Sequence, residues 1–287
     1  MTELIIEAEL TGTRDGTTQL QRRWRAADLG LDAAPRSALV AVHGLGEHSG
    51  RYDHVGRFLA ALGHDVLAFD NRGFGQSGGR RGHVDSFDEF LDDVEDMVIE
   101  RRQLGAPVVL FGHSLGGLIA ATYVVRGRPA PDLLVLSSPA LDADVPRWQR
   151  VVAPVLSRFK PNLFVANNID PEVLSHDEEV QVAYRDDPLR VGGSTARLGQ
   201  QVFDAMREAS AGTRRVNVPT YVFHGAADRL VPPRASERLA AQDNVTYRLW
   251  PGLRHECLNE AARFNVLGEL AAWLDEELHR LTRSTDG

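Results

Sequence analysis

The ten residues Val108-Val109-Leu110-Phe111-Gly112-His113-Ser114-Leu115-Gly116-Gly117 narrow the choice of fold more than any other part of this chain. A short β-branched and aromatic run ends in Gly-x-Ser-x-Gly, and an apolar segment, Leu118 to Val125, follows at once. The pattern predicts a strand, an abrupt turn and a helix. Such a turn forces the central serine into a strained backbone conformation, and Gly112 and Gly116 leave room where side chains would clash. Ser114 then stands above a sheet, at the start of a helix whose free N–H groups face any negative charge developing beside it. A serine placed in this way is a candidate nucleophile and needs partners elsewhere in the chain.

The flanking segments say what kind of sheet this is. Ala38 to Val42 is apolar without alternation, as in a buried central strand, and it ends in His43-Gly44-Leu45-Gly46-Glu47. Tyr52, Val55, Phe58, Leu59 and Leu62 then fall at helical spacing, with Gly63 as the stop. Val66 to Phe69 reads as the next strand, and Ser86 as the cap of a helix presenting Phe87, Phe90, Leu91, Val94 and Val98. Leu133 to Ser137 is another strand after the serine unit. This rhythm predicts helices on both faces of a largely parallel sheet. At the N-terminus, Leu4 to Leu10 and Leu20 to Ala27 flank Asp15-Gly16 and suggest an antiparallel pair.

The rhythm fails after Pro139. Between about residues 140 and 216 no sheet strand is recognisable. Amphipathic stretches stand there instead: Val151 to Phe159, Leu163 to Val165, Glu178 to Tyr184 and Thr195 to Met206, broken by Pro161, Pro171 and Pro188. About 75 residues is too long for a plain loop and predicts a folded insertion. The rhythm resumes at Thr220, with strands at Tyr221 to Phe223 and Val245 to Trp250 and a helix around Pro233 to Leu239. A closing helix carries Phe264, Leu267, Leu270, Leu274, Leu278 and Leu281 on one side, and the tail from Thr282 reads as frayed. The expectation is an α/β core of residues 1–139 and 217–287 with a cap, 140–216, over the edge where open α/β sheets bind ligands.

A hydroxyl attacks a carbonyl weakly at neutral pH, so Ser114 needs a general base, and the base needs an acid to fix its tautomer. In this fold class the chain order is serine, acid, histidine. Asp228 follows the strand ending at Phe223, and His255 follows the strand ending at Trp250, each by a short Gly-containing loop. Both therefore belong at the sheet edge that carries Ser114. Asp142 and Asp144 are competing acids, and Asp228 is preferred because its strand–loop setting is cleaner. The tetrahedral oxygen requires two donors, expected from the backbone N–H groups of Leu115 and Leu45. His43 and His113 are assigned structural hydrogen bonds; His64, His83, His176 and His279 lack motif context. The histidines show no metal-ligand spacing, and neither metal nor cofactor is expected. The glycines at 44, 46, 73, 75, 78 and 79 match neither the dinucleotide fingerprint nor a phosphate loop and read as tight turns beneath the site.

Composition excludes several partners. The net charge of -8 and the absence of a basic block argue against nucleic acid; Lys160 is the only lysine. The single cysteine, Cys257, excludes an intrachain disulfide and favours a reducing compartment. The opening MTELIIEAELTGTRDG carries acidic residues in its apolar stretch, unlike a signal peptide, and no run reaches the roughly 18 to 20 apolar residues that span a bilayer. A soluble, cytoplasmic protein is expected, with peripheral contact to lipid left open.

Several segments together resemble a known family. They are the stretch from His43 to Tyr52, the loop Arg72-Gly73-Phe74-Gly75-Gln76-Ser77-Gly78 running on to Arg81-Gly82-His83-Val84, and Gly112 to Gly117. Ser138-Pro139-Ala140-Leu141, Asp186-Asp187-Pro188-Leu189, and His255-Glu256 with Asn259-Glu260 add to them. The chain is similar to the monoglyceride lipases and lysophospholipase-like members of the α/β-hydrolases, also grouped with serine aminopeptidase-type sequences. The resemblance implies an α/β-hydrolase fold, a triad of Ser114, Asp228 and His255, donors at Leu45 and Leu115, and a lid at 140–216 that receives an acyl chain. It places Glu47 and Arg51 near a glycerol pocket, as substrate contacts or supports, with a loop salt bridge as the alternative. It implies hydrolysis of monoacylglycerols to glycerol and fatty acid. A general carboxylesterase or lysophospholipase is the alternative, and a peptidase or a non-catalytic binding protein stands further off. Phe74 departs from the histidine usual in that loop, and Leu115 from a frequent methionine. Val151 to Phe159 and Leu163 to Val165 are expected to face the acyl chain or a lipid surface, or else to pack the cap onto the sheet.

Overall fold

Apolar runs and amphipathic segments alternate in the sequence because strands of one sheet alternate with helices that cover it. The computed structural model describes residues 7–30, 34–144, 147–167 and 169–285. The chain opens with β1 (Glu7–Gly12), β2 (Thr18–Trp24), β3 (Ala38–Val42), α1 (Asp53–Ala61), β4 (Asp65–Phe69) and α2 (Asp88–Arg102). β5 (Val108–His113), α3 (Leu115–Val125) and β6 (Leu133–Ser137) follow. Next come α4 (Arg147–Phe159), β7 (Phe164–Ala166), α5 (Glu178–Asp186), β8 (Gly193–Thr195) and α6 (Ala196–Ala211). β9 (Thr220–Gly225), α7 (Glu237–Ala240), β10 (Val245–Trp250) and α8 (Arg263–Thr285) complete the described chain.

Eight strands form one sheet in the order β1-β2-β4-β3-β5-β6-β9-β10. β1 and β2 are antiparallel, β2 runs antiparallel to β4, and every other pairing is parallel. This is the α/β-hydrolase arrangement. Successive side chains of a strand point to opposite faces, so β3 and β4 feed two cores. Leu39, Ala41, Val66 and Ala68 pack with α1 and α8, whereas Val40, Val42, Leu67 and Phe69 pack with α2 and α3. Each fully buried Leu, Val or Phe contributes about 1.5–3 kcal/mol. α3 is buried on every side because α6 covers the face that the sheet does not, which explains why its sequence has no polar stripe. No described helix is long and apolar enough to cross a membrane.

The structure departs from the sequence reading in several places. Residues 4–6 of the first expected strand lie outside the described residues, and β1 runs on to Gly12. The segment between β6 and β9 contains a two-stranded antiparallel sheet, β7 with β8. Leu163 to Val165 is therefore mostly strand, set by pairing with a segment nearly thirty residues away. Around Pro233 to Leu239 the expected helix is a 3-10 turn, Pro233–Ser236, followed by the single turn of α7. Phe264 is 59% exposed and does not join the buried side of α8. That helix does not fray at Thr282, whose hydroxyl donates to the Leu278 carbonyl at 3.1 Å.

The segment between β6 and β9 is tied to the core at several points. Val191 N–H donates to the Gly46 carbonyl and Thr195 N–H to the Gly82 carbonyl, at 2.9 and 2.8 Å. His48 bonds Asp187 at 2.8 Å, His83 bonds the Thr195 hydroxyl at 2.8 Å, and His176 bonds Glu260 at 2.9 Å. These contacts hold α5 and β8 against the chain segments that follow β3, β4 and β10.

Candidate active site

Ser114 occupies the turn between β5 and α3 with φ 52° and ψ -114°. A non-glycine residue there carries strain of order 1–3 kcal/mol, held only by its surroundings. Its N–H donates to the Ser137 carbonyl at 2.9 Å, and its carbonyl accepts from Leu118 and Ala140 N–H at 3.0 Å. The flanking glycines are required by contact: a Cβ on Gly112 would strike the Gly116 backbone, and one on Gly116 the Val42 carbonyl. Ser138, at the end of β6, is the other described non-glycine residue with positive φ. Its hydroxyl donates to the His255 carbonyl at 2.8 Å, so a second strained serine anchors the histidine loop.

The loops after β9 and β10 bring Asp228 and His255 together. His255 Nδ1 donates to Asp228 Oδ2 at 2.7 Å, and both side chains are buried. With Nδ1 engaged, Nε2 is the ring nitrogen left for Ser114, which lines the same cavity. Ser114 Oγ has no hydrogen-bond partner among the described residues. Contacts of this kind are commonly loose before substrate binds. Burial alone would lower the His255 pKa, but Asp228, then Glu256 and Glu47, raise it above the ordinary imidazole value. Burial alone would raise that of Asp228, but His255 and His224 hold it below the usual carboxylate range. The two shifts agree: the site favours imidazolium beside carboxylate.

Asp228 has further partners. Oδ1 accepts from the N–H groups of Leu230 and Val231 at 2.8 and 2.9 Å. Oδ2 accepts from His224 Nε2 at 3.0 Å. The sequence carries little sign of His224: its only signal is a polar residue closing an apolar run, four positions before Asp228. Of the competing acids, Asp144 pairs with Arg234 at the surface and Asp142 accepts from Ala143 N–H. Neither is brought to His255.

The N–H groups of Leu45 and Leu115 have no partner among the backbone bonds of the described residues, and both residues line the Ser114 cavity. The loop bearing Leu45 is braced. His43 Nε2 accepts from Asn71 N–H at 2.8 Å, so the ring's proton lies on Nδ1, which donates to the Gly44 carbonyl at 2.8 Å. Phe74 packs edge-on against His43 with centroids 6.1 Å apart. His43 already has both nitrogens engaged, so an apolar ring at 74 leaves no partner unsatisfied. His113, beside Ser114, bonds the Ser137 hydroxyl at 3.0 Å and lies 4.8 Å from the His255 ring. Burial, with His255 second, pushes its pKa down to about 4.

Glu47 and Arg51 form an ion pair, Arg51 Nη1 to Glu47 Oε2 at 2.7 Å. The sequence did not foretell the third member: Glu256 receives both guanidinium nitrogens at 2.6 and 2.7 Å. Glu47 Oε1 also accepts from Gly44 N–H at 2.5 Å and Tyr52 OH at 2.7 Å, which couples the pair to the loop that carries Leu45. Burial opposes the Arg51 charge, yet the two carboxylates hold its pKa well above the ordinary value. Tyr184 of α5 closes over the guanidinium at 5.2 Å.

A cavity of about 210 Å³ is lined by Ser114, Leu45, Leu115, Glu47, Arg51, His255 and Glu256 among others. Leu45, Asn167 and Val202 are shared with a second cavity of about 550 Å³, walled mainly by apolar residues of α4, β7 and α6 such as Val152, Leu156, Val165 and Phe203. The arrangement has a hydroxyl, a base with its acid, two unpaired N–H donors, a carboxylate-rich end and an apolar chamber. It is suited to acyl transfer from an ester with a polar head and an apolar tail.

Comparison with known proteins points the same way. The serine aminopeptidase S33 family (Hydrolase_4) matches residues 33–262. The monoacylglycerol lipase of Mycolicibacterium smegmatis is 34% identical over 255 residues, covering 86% of this chain and 91% of that protein. Phospholipase YtpA of Bacillus subtilis is 30% identical over 249 residues, covering 84% and 96%. Among solved structures, the monoacylglycerol lipase of Paleococcus ferrophilus superimposes with a TM-score of 0.79 at 31% identity, over 96% of this chain and all of that one.

Proposed function

The chain belongs to the serine aminopeptidase S33 family of α/β-hydrolases, and from that membership and the site's geometry we propose that it hydrolyses monoacylglycerols to glycerol and free fatty acid. Ser114 Oγ attacks the ester carbonyl carbon while His255 Nε2 takes its proton. The resulting oxyanion lies between the N–H groups of Leu45 and Leu115; one such donor is typically worth about 3 kcal/mol of transition-state stabilisation. Collapse breaks the bond to the glycerol oxygen, which takes the proton from His255. Water then gives a proton to His255 and attacks the acyl-serine, and collapse releases the fatty acid and restores the Ser114 hydroxyl.

The observation that carries the reading is a Ser114 cavity with a carboxylate-rich end that shares Leu45, Asn167 and Val202 with a larger apolar chamber. Glu47 and Glu256 against Arg51 leave that end net negative, with acceptors for hydroxyl donors, and Arg51, the one arginine among the described residues that line the cavity, is paired with both carboxylates. A neutral polyol head fits it better than a phosphodiester, which ranks monoacylglycerol above lysophospholipid. The exposed apolar side chains of α4 and β7, Trp148, Val151, Val155, Phe159 and Phe164, support transient docking of the cap on a lipid surface. Purified protein assayed on monoacylglycerols, p-nitrophenyl esters of rising chain length, lysophospholipids and aminoacyl amides tests this reading. Each methylene buried in the chamber should raise kcat/KM by up to about fourfold until the chamber is filled. Preference for acetyl esters, or for lysophospholipid over monoacylglycerol, would overturn it. Ser114→Ala should abolish turnover without a loss of folding.

A further inference from the structure

We propose that His224 is a positioning residue for this hydrolase: its Nε2–H holds the Asp228 carboxylate in the orientation that presents Oδ2 to His255 Nδ1. The inference rests on the ester-hydrolase reading of Ser114, His255 and Asp228.

The tautomer of His224 follows from its neighbours. Nε2 faces two acceptors, Asp228 Oδ2 and the Val231 carbonyl, both at 3.0 Å, so it carries the proton. Its Nδ1 is bonded to the Ser236 hydroxyl at 3.2 Å. Every polar atom of the ring is used, and its side chain is fully buried.

The carboxylate is saturated as well. An ionised aspartate offers about four acceptor positions, and Asp228 fills them with two backbone N–H groups on Oδ1 and two imidazoles on Oδ2. Three of the four donors come from β9 and the loop directly after it; the fourth is His255. The Asp228 side chain is also fully buried, so water cannot replace a lost donor. Removing His224 leaves His255 as the one donor on Oδ2, with the Leu230 and Val231 N–H groups still on Oδ1, and the carboxylate is held less firmly about its last bond. The charge it presents to His255 then becomes less shared, and the imidazolium becomes the better paired form. The other groups facing His255 are Glu256, Glu47 and His113; Cys257 is the further titratable group near Asp228.

The test compares wild type with His224→Leu, His224→Asn and His224→Gln on a soluble p-nitrophenyl ester, reading kcat, KM, the pH profile of kcat/KM and Tm. Glutamine carries an N–H donor at the reach of imidazole Nε2, and asparagine is too short. The leucine and asparagine variants should lose roughly 10- to 100-fold in kcat with KM within about twofold, and the acid limb of kcat/KM should move up by about half a pH unit or more. The glutamine variant should recover kcat to within about threefold of wild type. Should leucine prevent folding, asparagine against glutamine makes the same comparison. Unchanged kcat and acid limb in the leucine or asparagine variant overturn this inference alone. So does a glutamine variant as impaired as asparagine with loss that follows Tm, which is the signature of packing. Wild-type protein inactive on every ester, with no fluorophosphonate labelling of Ser114, overturns this inference and the function it rests on together.

Discussion

His255 lies where two opposing effects meet: burial favours the neutral ring, whereas Asp228, Glu256 and Glu47 favour the cation and prevail. A general base must be neutral to accept the serine proton, so the raised pKa removes active enzyme on the acid side. The acid limb of kcat/KM should therefore lie above 6.5, the ordinary histidine value. A pH–rate profile with the limb at or below that value would contradict the electrostatics of the pair. Glu47 makes a second prediction at this scale. Its Oε1 holds the Gly44 N–H and the Tyr52 hydroxyl, and its Oε2 holds Arg51. Glu47→Gln keeps a carbonyl acceptor for the first two and loses only the ion pair. Glu47→Ala leaves two donors and a guanidinium underpaired in a buried place, which costs about 3–5 kcal/mol and loosens the loop that carries the Leu45 N–H. Urea denaturation with kcat measurement should find alanine far worse than glutamine in both; equal effects would deny Glu47 its bracing role.

α4 is the element on which substrate presentation turns. Val152 and Leu156 line the large chamber, while Val151, Val155 and Phe159 are exposed on the same helix. If the outward residues meet a lipid surface, Val151→Asp combined with Phe159→Asp should depress turnover of micellar or vesicular monoacylglycerol several-fold and leave a soluble short-chain ester unaffected. Equal loss on both would mean that those residues merely pack. How well each element could be read beforehand follows from where its stabilising contacts lie. β3, β4, β5 and β6 are buried on both faces, so unbroken apolar runs identify them. β7 and β8 are three residues each and owe their form to one another across a long separation, which no local pattern records. The serine turn, Asp228 and His255 were legible because chain order and strand-end position constrain them. Arg51 and Glu256 stand 205 positions apart, and His224 ends an apolar strand with no spacing of its own, so only the folded chain reveals what they touch.

Across the whole molecule, the burial that shapes the site also sets its acid stability. His64 and His113 are both pushed down to about 4, by burial first, with Arg36 adding to the effect at His64 and His255 at His113. Burial lowers His43 and His54 as well. A histidine whose folded pKa is depressed binds its proton more readily unfolded, so stability falls as pH drops below the unfolded value near 6.5 and continues to fall until the folded pKa is reached. His255 works in the opposite sense: its raised pKa adds stability below the unfolded value and loses it as pH rises through the folded one. Asp228, Glu47 and Glu256 contribute stability above the unfolded carboxylate range and surrender it only near pH 4 and below. Between about pH 6 and 4, therefore, the buried histidines dominate. His64 and His113 alone should remove roughly 2–3 kcal/mol per pH unit. Urea midpoints measured at pH 7, 5.5 and 4.5 should fall steeply at unchanged m-value. His64 lies far from the site and is bonded to the Ser37 hydroxyl at 2.8 Å; His64→Gln keeps a hydrogen-bonding group there without the titration. That variant should lose about one proton from the slope while its ester turnover at pH 8 stays unchanged. A midpoint that stays flat from pH 7 to 4.5 in the wild type, or a slope that His64→Gln does not reduce, would mean that these rings are protonated in the folded protein.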